Sequence, residues 1–494
     1  MAQNKNEEAQ QLRDLIKDCP RSYDSKNVYF KVPLDNGTEE TYAVRSEDFS
    51  LYLHRCYFNT YGEHPSKGAM NDTITYLQSD LLSNRAKNPK YRVAKKGGVI
   101  YIDLQDANDN VVEVTADGWK IASKDNSMFK RAPDQLELAE PVLKGGDIDL
   151  LRKYVNVSDE DYLKLKAFIV SCFIPRIQHP ILSVIGEYGT GKSTLLEIVK
   201  LIVDPSLSLL TSLDGRMDNV ELTLSSSHFV AFDNLSSLSQ AQSNAFCMTV
   251  TGAHSDRRKK YSDTEQVRIT FDAITSMNGI EQVIKKPDLA QRCLFVETLP
   301  EVRNHTMVKE ELMAEFMEDL PLIFGGILDI LVTSLSLHAI MPPLKKYQRL
   351  SDFHKYSVAI AEAMEPGLGE VIQEALIQNE IKQKLVSGSD VELVGILLRF
   401  LGKEAQWEGR TETLYENLEN LIENYETAGK IFSKHTLPAS VNSFSRKLRS
   451  NDFLMACQQF NLHCDVYRAM PDNLSCVRIF KDPGDSTLSA VTAA

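Results

Sequence analysis

Residues 180–194 read PILSVIGEYGTGKST and contain the pattern Gly-x-x-x-x-Gly-Lys-Ser from Gly186 to Ser193. The apolar run at 180–185 predicts a buried parallel strand. Residues 194–203, TLLEIVKLIV, carry apolar side chains at helical spacing. Strand, glycine-rich loop and helix, in this order, are the context in which the pattern binds phosphate. The sequence therefore predicts a nucleoside triphosphate site.

The residue types in this loop explain how it would hold a nucleotide. Glycines let backbone N–H groups turn toward a phosphate, and the N-terminus of the following helix adds a partial positive charge. We expect Lys192 to reach the β- and γ-phosphates and the Ser193 hydroxyl to bind Mg²⁺, so ATP and Mg²⁺ are the expected cofactors. The expected nucleotide-binding residues are Gly186, Glu187, Tyr188, Gly189, Thr190, Gly191, Lys192, Ser193 and Thr194.

The composition is that of an ordinary globular protein. The 494 residues are enough for about three or four domains, and 43% of them are hydrophobic. The eight cysteines form no C-x-x-C pair, which favours reduced thiols in a cytoplasm and argues against a zinc site. No uninterrupted apolar run reaches the roughly 18 residues of a membrane helix. The polar N-terminus lacks the apolar stretch of a signal peptide. We therefore expect a cytoplasmic protein without a membrane partner.

The net charge of −13 gives no sign of nucleic-acid binding by the chain as a whole. Any such contact has to come from local basic patches.

A second segment supplies the acid that such a site needs. Residues 228–234, HFVAFDN, form an apolar strand that ends in Asp233, placed to bind Mg²⁺ together with Ser193. The next residue is Asn234, where many ATPases of this type carry a glutamate that polarises the attacking water. Asparagine can orient a water but cannot take its proton. Either another carboxylate serves, with Glu187 and Glu221 as candidates, or hydrolysis is slow.

Two further residues are candidates for catalytic roles. Asn278 ends the apolar strand of residues 267–278, VRITFDAITSMN, and could bond the γ-phosphate or the attacking water, or merely open the turn with Gly279. Arg292 closes a short helix that Pro287 and Asp288 begin. It could stabilise the transferring phosphoryl group of a neighbouring subunit, or pair with local acids at the surface.

The rest of the chain suggests four regions. We expect a mixed α/β domain over 1–135, the nucleotide-binding core over 150–300, a helical region over 301–385 and a last domain over 390–482. The first region predicts a hairpin at 22–44 with its turn at Asp35-Asn36-Gly37, then helices at 46–61 and 67–84 and strands between 92 and 121. Its role, oligomerisation or DNA docking, stays open. Residues 133–149 are expected to be a linker, and the helical region should break at Met341-Pro342-Pro343.

The last domain has the outline of a winged helix. Residues 440–452 predict one helix capped by Ser440, with Val441, Phe444 and Leu448 on one face. Two strands follow, at 462–468 and 475–481. Such a domain binds DNA, contacts a protein or caps a ring, and these alternatives stay open. The candidate DNA-binding residues on the helix are Arg446, Lys447 and Arg449.

At this point a family resemblance is visible. The segments GEYGTGKST, HFVAFDN, TGAHSDRRKKY, ITSMNGI and DLAQR resemble the AAA+ ATPases of helicase superfamily 3, and more narrowly the ATP-binding replication proteins of phages and integrated mobile elements. Asn234 fits this narrower group, although it departs from the wider AAA+ pattern. The resemblance is specific over about 150–300. It implies an α/β fold: an AAA+ P-loop core, a mixed α/β N-terminal domain and a C-terminal winged-helix-like domain.

The resemblance also implies a function. Superfamily 3 members are ring helicases, usually hexamers, that move on single-stranded nucleic acid and project a hairpin into the ring channel. The hairpin position falls on residues 253–266, AHSDRRKKYSDTEQ, whose basic run either tracks a phosphate backbone or is a solvated loop. The expected DNA-binding residues there are Arg257, Arg258, Lys259, Lys260 and Tyr261.

The expected partners are single-stranded or forked DNA and further copies of the chain, as well as a separate primase or origin DNA. A primase would be a separate protein because no primase motif is evident in this sequence. The alternative function is an ATP-switched assembly protein, a loader or a defence regulator, that does not unwind DNA.

Overall fold

The computed structural model describes sixteen segments of the chain. They are residues 2–23, 27–34, 37–82, 90–123, 129–130, 132, 134–213, 216–258, 266–279, 283–284, 286–300, 308–386, 389–402, 404–427, 437–470 and 474–481. The chain divides into two compact units, one of residues 1–280 and 296–373 and one of residues 281–295 and 374–494.

Helices and strands alternate in the central part of the chain, whereas the described residues before and after it form runs of strands and runs of helices. The helices are α1 (Ala2–Leu15), α2 (Glu47–Tyr61), α3 (Lys67–Ser79), α4 (Asp159–Ser171), α5 (Lys192–Val203), α6 (Met217–Ser225), α7 (Gln240–Thr251), α8 (Pro287–Ala290), α9 (Lys309–Ile340), α10 (Ser351–Met364), α11 (Leu368–Val386), α12 (Ser389–Leu401), α13 (Thr411–Thr427), α14 (Val441–Leu448) and α15 (Asn451–Gln459). The strands are β1 (Arg21–Tyr23), β2 (Val28–Pro33), β3 (Glu39–Ala43), β4 (Val93–Lys96), β5 (Val99–Asp103), β6 (Asn110–Val114), β7 (Trp119–Ser123), β8 (Ile181–Ile185), β9 (Thr211–Ser212), β10 (Phe229–Leu235), β11 (His254–Arg258), β12 (Gln266–Thr270), β13 (Ile274–Gly279), β14 (Cys293–Glu297), β15 (Gln406–Arg410), β16 (Leu462–Ala469) and β17 (Leu474–Lys481).

The N-terminal part of the first unit contains two small antiparallel sheets. The sheet β1-β2-β3 shares a core with α1, α2 and α3, and β4 to β7 follow one another in the second sheet. The predicted hairpin is formed by β2 and β3, although Asp35 and Asn36 of its turn lie outside the described residues. The helix predicted at 46–61 is confirmed, with Ser46 as its N-cap. The next one ends earlier than predicted, because α3 gives way to a 3-10 turn after Ser79.

The central sheet has the strand order β14-β8-β13-β10-β9. Strands β8, β13, β10 and β9 run parallel, so their carboxyl ends meet at one edge. Strand β8, which leads into the glycine loop, therefore lies next to β13. Strand β10, which carries Asp233, lies on the other side of β13. The last residues of β14, from Val296, belong to the first unit.

A buried carboxylate joins the helix α5 to the start of β10. Asp204, directly after α5, accepts hydrogen bonds from the backbone N–H groups of His228 and Phe229, both at 3.1 Å. It also accepts one from Arg92 Nε of the N-terminal region at 3.0 Å, and Lys200 lies 3.4 Å away. Burial raises the pKa of the Asp204 carboxyl, but Lys200 and Arg92 outweigh burial, so the pKa lies well below its usual range.

Residues 134–149, the described part of the stretch 133–149 that was expected to be a linker, pack along α9. The Val142 N–H donates to the Pro321 carbonyl at 3.2 Å, and the Asp147 N–H donates to the Leu322 carbonyl at 2.9 Å. Such close approach requires glycine in the helix. A Cβ added at Gly326 would lie 2.5 Å from the Ile148 nitrogen and 2.8 Å from the Asp147 nitrogen.

Helix α9 is also the one described helix that is long and apolar enough to cross a membrane. Half of its most apolar 18-residue window is buried inside the protein. Core helices of soluble proteins have this character too, so the helix by itself does not indicate a membrane protein. The break predicted at 341–343 is confirmed, since α9 ends at Ile340.

The second unit contains a small domain with a three-stranded sheet of order β15-β17-β16 and the helices α12 to α15. The hairpin β16–β17 was predicted, whereas β15 was not. The single helix predicted at 440–452 is wrong. Helix α14 ends at Leu448, and Ser450 caps a new helix by accepting a hydrogen bond from the Phe453 N–H at 3.3 Å. Ser440 caps α14 as predicted.

The packing of α9 gives a stability prediction. We expect Gly326→Ala to lower the free energy of unfolding by about 1–3 kcal/mol, because its Cβ would overlap backbone atoms that cannot move independently. Gly68→Ala in α3 is the matched control. Its Cβ would meet only the flexible end of the Lys5 side chain, and alanine favours a helix by up to about 1 kcal/mol. Urea unfolding of both variants tests this: equal effects would contradict the packing described.

Candidate nucleotide site

The glycine loop has the backbone that its sequence predicts. Gly186, Gly189 and Gly191 have φ of +145°, +81° and +85°, a region that side chains with a Cβ rarely adopt. Gly186 is constrained in space as well, because an added Cβ would lie 2.3 Å from Oγ1 of Thr298. Helix α5 begins at Lys192, directly after Gly191. Free backbone N–H groups at the start of this helix therefore face the loop.

Two side chains hold the loop in shape. Lys192 Nζ donates to the carbonyl oxygens of Gly186 at 2.9 Å and Glu187 at 2.5 Å. Thr190 Oγ1 donates to the Glu187 carbonyl at 2.9 Å and lies 2.6 Å from Oγ1 of Thr298. The sequence pointed to Lys192 and Thr190 but not to Thr298, whose only signal was its place after an apolar strand. The side chains of Glu187 and Tyr188 are exposed.

The predicted metal-binding residues meet at the same edge of the sheet. The Ser193 hydroxyl donates to Asp233 Oδ1 at 2.7 Å. Asn278 Nδ2 donates to the same Asp233 oxygen at 2.6 Å and lies 3.2 Å from Ser193 Oγ. Asn278 can bridge these two residues because β13, which carries it, lies between β8 and β10. A hydroxyl and a carboxylate at this distance fit Mg²⁺, which prefers oxygen ligands.

Asn234 occupies the position next to the acid with a left-handed backbone. Its φ is +54°, and its N–H donates to Asn278 Oδ1 at 2.6 Å. The Asn278 amide therefore uses both its oxygen and its nitrogen in hydrogen bonds. The Asn234 side chain is exposed. Of the two other carboxylates proposed from the sequence, Glu221 is buried on α6, and burial raises its pKa.

Arg292 lies in the second unit, between α8 and β14. Its Nη1 donates to the Asp288 carbonyl at 2.6 Å and forms an ion pair with the Asp288 carboxylate. The residue is only 9% exposed, and its Nε has no hydrogen-bond partner in the described part of the chain. To reach a neighbouring subunit, the guanidinium has to leave Asp288. Its role in trans stays a prediction.

The hairpin expected at 253–266 has an antiparallel stem of β11 and β12, in which Arg257 faces Val267 and Arg258 faces Gln266 along the backbone. The residues Lys259, Lys260 and Tyr261 lie outside the described part of the chain. The stem therefore carries the first two of the five candidate residues at the end of β11. Their role in DNA binding stays a prediction.

The three candidate DNA-binding residues of the C-terminal domain differ in their surroundings. Arg446 and Arg449 are exposed, whereas Lys447 forms an ion pair with Asp390. They belong to α14 and the turn after it, because the helix boundary falls at Leu448. The helix that precedes the hairpin, α15, contains no lysine or arginine.

Known proteins resemble parts of this chain. Residues 148–370, less than half of the chain, match the family described as actinomycete integrative conjugative element replication protein. They thus carry the sequence signature of a mobile-element replication protein. No curated protein sequence matches the chain.

Among solved structures, the apo C-terminal region of NrS-1 (305-718) is similar at 13% identity and a TM-score of 0.40, over 95% of this chain and 99% of that one. The JCV Helicase is similar at 12% identity and a TM-score of 0.20, over 46% of this chain and 65% of that one. At these scores neither structure establishes the fold, which rests on the strand order.

The bridging amide gives a prediction for metal-dependent nucleotide binding. We expect Asn278→Ala to weaken binding of a fluorescent ATP analogue about tenfold in the presence of Mg²⁺, because Asp233 and Ser193 lose a shared hydrogen-bond donor. Ser276→Ala, also buried on β13 and bonded to the Val230 carbonyl at 3.4 Å, is the control and should bind normally. A titration with Mg²⁺ or EDTA separates the metal-dependent part. Equal affinities of the two variants would contradict the role of the bridge.

Proposed function

We propose that the chain is an ATP-dependent DNA helicase or translocase that forms a ring and acts in the replication of a mobile element or phage. The observation that carries the proposal is the cluster of Lys192, Ser193, Asp233 and Asn278 at the ends of three adjacent parallel strands. Such a cluster fits a Mg²⁺–triphosphate and is built by residues far apart in sequence. The replication-protein signature over 148–370 supports the biological setting.

The residues divide the work of ATP hydrolysis. Lys192 binds the β- and γ-phosphates, and Ser193 and Asp233 hold the metal. Mg²⁺, when bound, neutralises charge that develops on the phosphoryl group. Asn278 keeps the Asp233 carboxylate in place. Asn234 can orient the attacking water through its exposed amide but cannot accept a proton, so a proton acceptor has to be supplied by another group.

The ring enters the proposal through Arg292. In this proposal ATP sits between subunits and Arg292 completes the site of the next one, as arginine fingers do. In the absence of a neighbouring nucleotide, the guanidinium then rests in the ion pair with Asp288. The Asp288 side chain is itself largely exposed. A hexamer is the state that the superfamily 3 resemblance implies.

DNA binding is assigned to two regions. The hairpin of β11 and β12, with Arg257, Arg258, Lys259, Lys260 and Tyr261, would couple the ATP state to movement of a strand. The C-terminal domain has the strand order β15-β17-β16, with helices before and between the strands and a terminal hairpin, which supports a winged-helix interpretation. In it, Arg446 and Arg449 are available for DNA, while Lys447 is held by Asp390.

Asn234 favours a second candidate function. Without a carboxylate at this position, the protein could hydrolyse ATP slowly and act as a switched assembly protein, a loader or a defence regulator. Such a protein needs nucleotide binding but no unwinding.

A mixing experiment tests the shared site. We expect Lys192→Ala and Arg292→Ala each to reduce ATP turnover by roughly a thousandfold or more. Mixed in equal amounts, the two variants should regain roughly a quarter of the wild-type rate. Half of the subunits carry an intact loop, and about half of those lie beside a subunit with an intact Arg292. Asp288→Asn is the control, since it removes the local ion pair and keeps the arginine. No recovery on mixing, with Asp288→Asn as inactive as Arg292→Ala, would assign Arg292 a local structural role.

Unwinding distinguishes the two functions. We expect the purified protein to hydrolyse ATP faster with single-stranded DNA and to displace a labelled strand from a forked duplex. Replacing Lys259 and Lys260 by alanine should suppress both effects and leave the basal ATP turnover intact. A slow rate that ignores DNA, together with no strand displacement, would favour the switched assembly protein.

A further inference from the structure

A large cleft lies at the amino ends of the central strands, away from the nucleotide site. Its volume is about 870 Å³, and all its lining residues belong to the first unit. One wall is formed by the first strand of the second small sheet, β4, with the residues before it. The other wall is formed by the residues that lead into β10 and β13 and by the residues at the base of the hairpin. At this base, Gly252 precedes β11 and Asp272 follows β12.

The lining of this cleft is strongly basic, although the whole chain has a net charge of −13. Five basic residues and one acidic residue, Asp272, line it. The basic residues are Lys90, Lys95, Lys96, Lys130 and Arg176.

Most of this positive charge is not neutralised locally. Lys90 forms an ion pair with Asp272 at 2.6 Å. Within the described part of the chain, Lys95, Lys96 and Arg176 form no ion pair, and Lys96 and Arg176 are exposed. A cluster of cations that repel one another costs folding free energy, so an anionic ligand that enters the cleft is favoured.

The cleft also offers an aromatic surface. Tyr91 lines it and is half-buried. The Lys130 ammonium lies 4.4 Å from the centre of its ring. Cations that follow a groove, with an aromatic ring beside them, are typical of sites that bind single-stranded nucleic acids, because phosphates contact the cations and bases stack on the ring.

The two histidines of the cleft lining are uncharged at neutral pH. His179 and His228 line the cleft, and burial lowers the pKa of each to about 4. Each ring Nε2 lies near a carbonyl oxygen at the end of α4, at 2.8 Å for His179 and 3.0 Å for His228. The positive potential therefore comes from the lysines and Arg176 at the walls, where a flexible phosphate chain can reach it.

We propose that this cleft binds the sugar-phosphate backbone of single-stranded DNA, with Lys95, Lys96 and Arg176 as phosphate contacts and Tyr91 as a stacking surface. The site is separate from the hairpin tip and the C-terminal domain and extends the DNA path to the base of the hairpin. This inference rests on the proposed DNA-motor function.

The test measures binding of a fluorescently labelled oligothymidine of about 20 nucleotides, longer than the usual single-strand site. Fluorescence anisotropy is recorded with the full chain at several salt concentrations. The variant is Lys95→Ala/Lys96→Ala, and the matched control is Lys345→Ala/Lys346→Ala, which removes two adjacent exposed lysines outside the cleft. Arg176→Asn is a second variant, because asparagine tolerates the positive φ of +69° found there.

The expected result is a loss of affinity of about tenfold for the cleft variant, with a salt slope smaller by about 1.4, since each single-strand phosphate contact contributes about 0.7. Arg176→Asn should reduce the slope by about half as much. The control should keep the wild-type affinity and slope, and basal ATP turnover without DNA should be unchanged in all variants.

Other outcomes would overturn the proposal. If the wild type binds DNA and the cleft variants bind equally well, the cleft is not a DNA site and the proposed motor function stands. An equal loss in the cleft and control variants would assign the effect to overall charge. Stronger binding of duplex than of single-stranded DNA by the cleft would contradict the stacking role of Tyr91. If the wild type binds no DNA, the motor function and the cleft site fall together.

Discussion

The fold depends on one buried charge, the carboxylate of Asp204. It receives donors from three directions: Arg92 of the N-terminal region, Lys200 of α5, and the first backbone N–H groups of β10. Gln135 adds a fourth contact at 2.8 Å. A buried carboxylate is stable only when fully paired, and removal of one partner typically costs about 3–5 kcal/mol. Asp204 therefore fixes the helix that begins at the glycine loop against the strand that carries Asp233.

The local parts of the site could be predicted from sequence, because each is written in consecutive residues. The loop from Gly186 to Ser193 and the strand ending in Asp233 need only short-range rules of glycine geometry and strand pattern. A role for Asn278 at the γ-phosphate or the attacking water could be proposed, but its hydrogen bonds to Ser193 and Asp233 could not, since they depend on β13 lying between two strands that precede it in sequence. Thr298 carried no such signal, because its contact with Thr190 joins residues 108 positions apart.

The errors in prediction have the same physical origin. The break between α14 and α15 was missed although Ser450, Asn451 and Asp452 are residue types that favour turns and helix starts. The helical spacing of the apolar residues before them predicted one helix, whereas the hydrogen bond that Ser450 accepts from the Phe453 N–H shows that a second helix begins there. The segment 133–149 has the composition of a linker, yet its N–H groups bond to α9 carbonyls. The composition of a segment indicates how readily it is solvated, but it does not show whether the segment packs on another part of the protein. Strand β15 was missed because its pairing partner, β17, lies more than sixty residues later.

Strand β13 has a mechanical consequence. Its first residue, Ile274, lies four positions after the end of the hairpin stem at Thr270, and its end carries Asn278 close to Ser193 and Asp233. A buried strand is stiff along its axis and spans about 3.3 Å per residue. It therefore connects the cluster of Ser193, Asp233 and Asn278 to the base of the hairpin over about 15 Å. Because β13 is hydrogen-bonded to β8 and β10 on its two sides, a displacement at either end would have to move the neighbouring strands with it. In the proposed motor, the separation between the nucleotide site and the hairpin is therefore set by five residues of backbone.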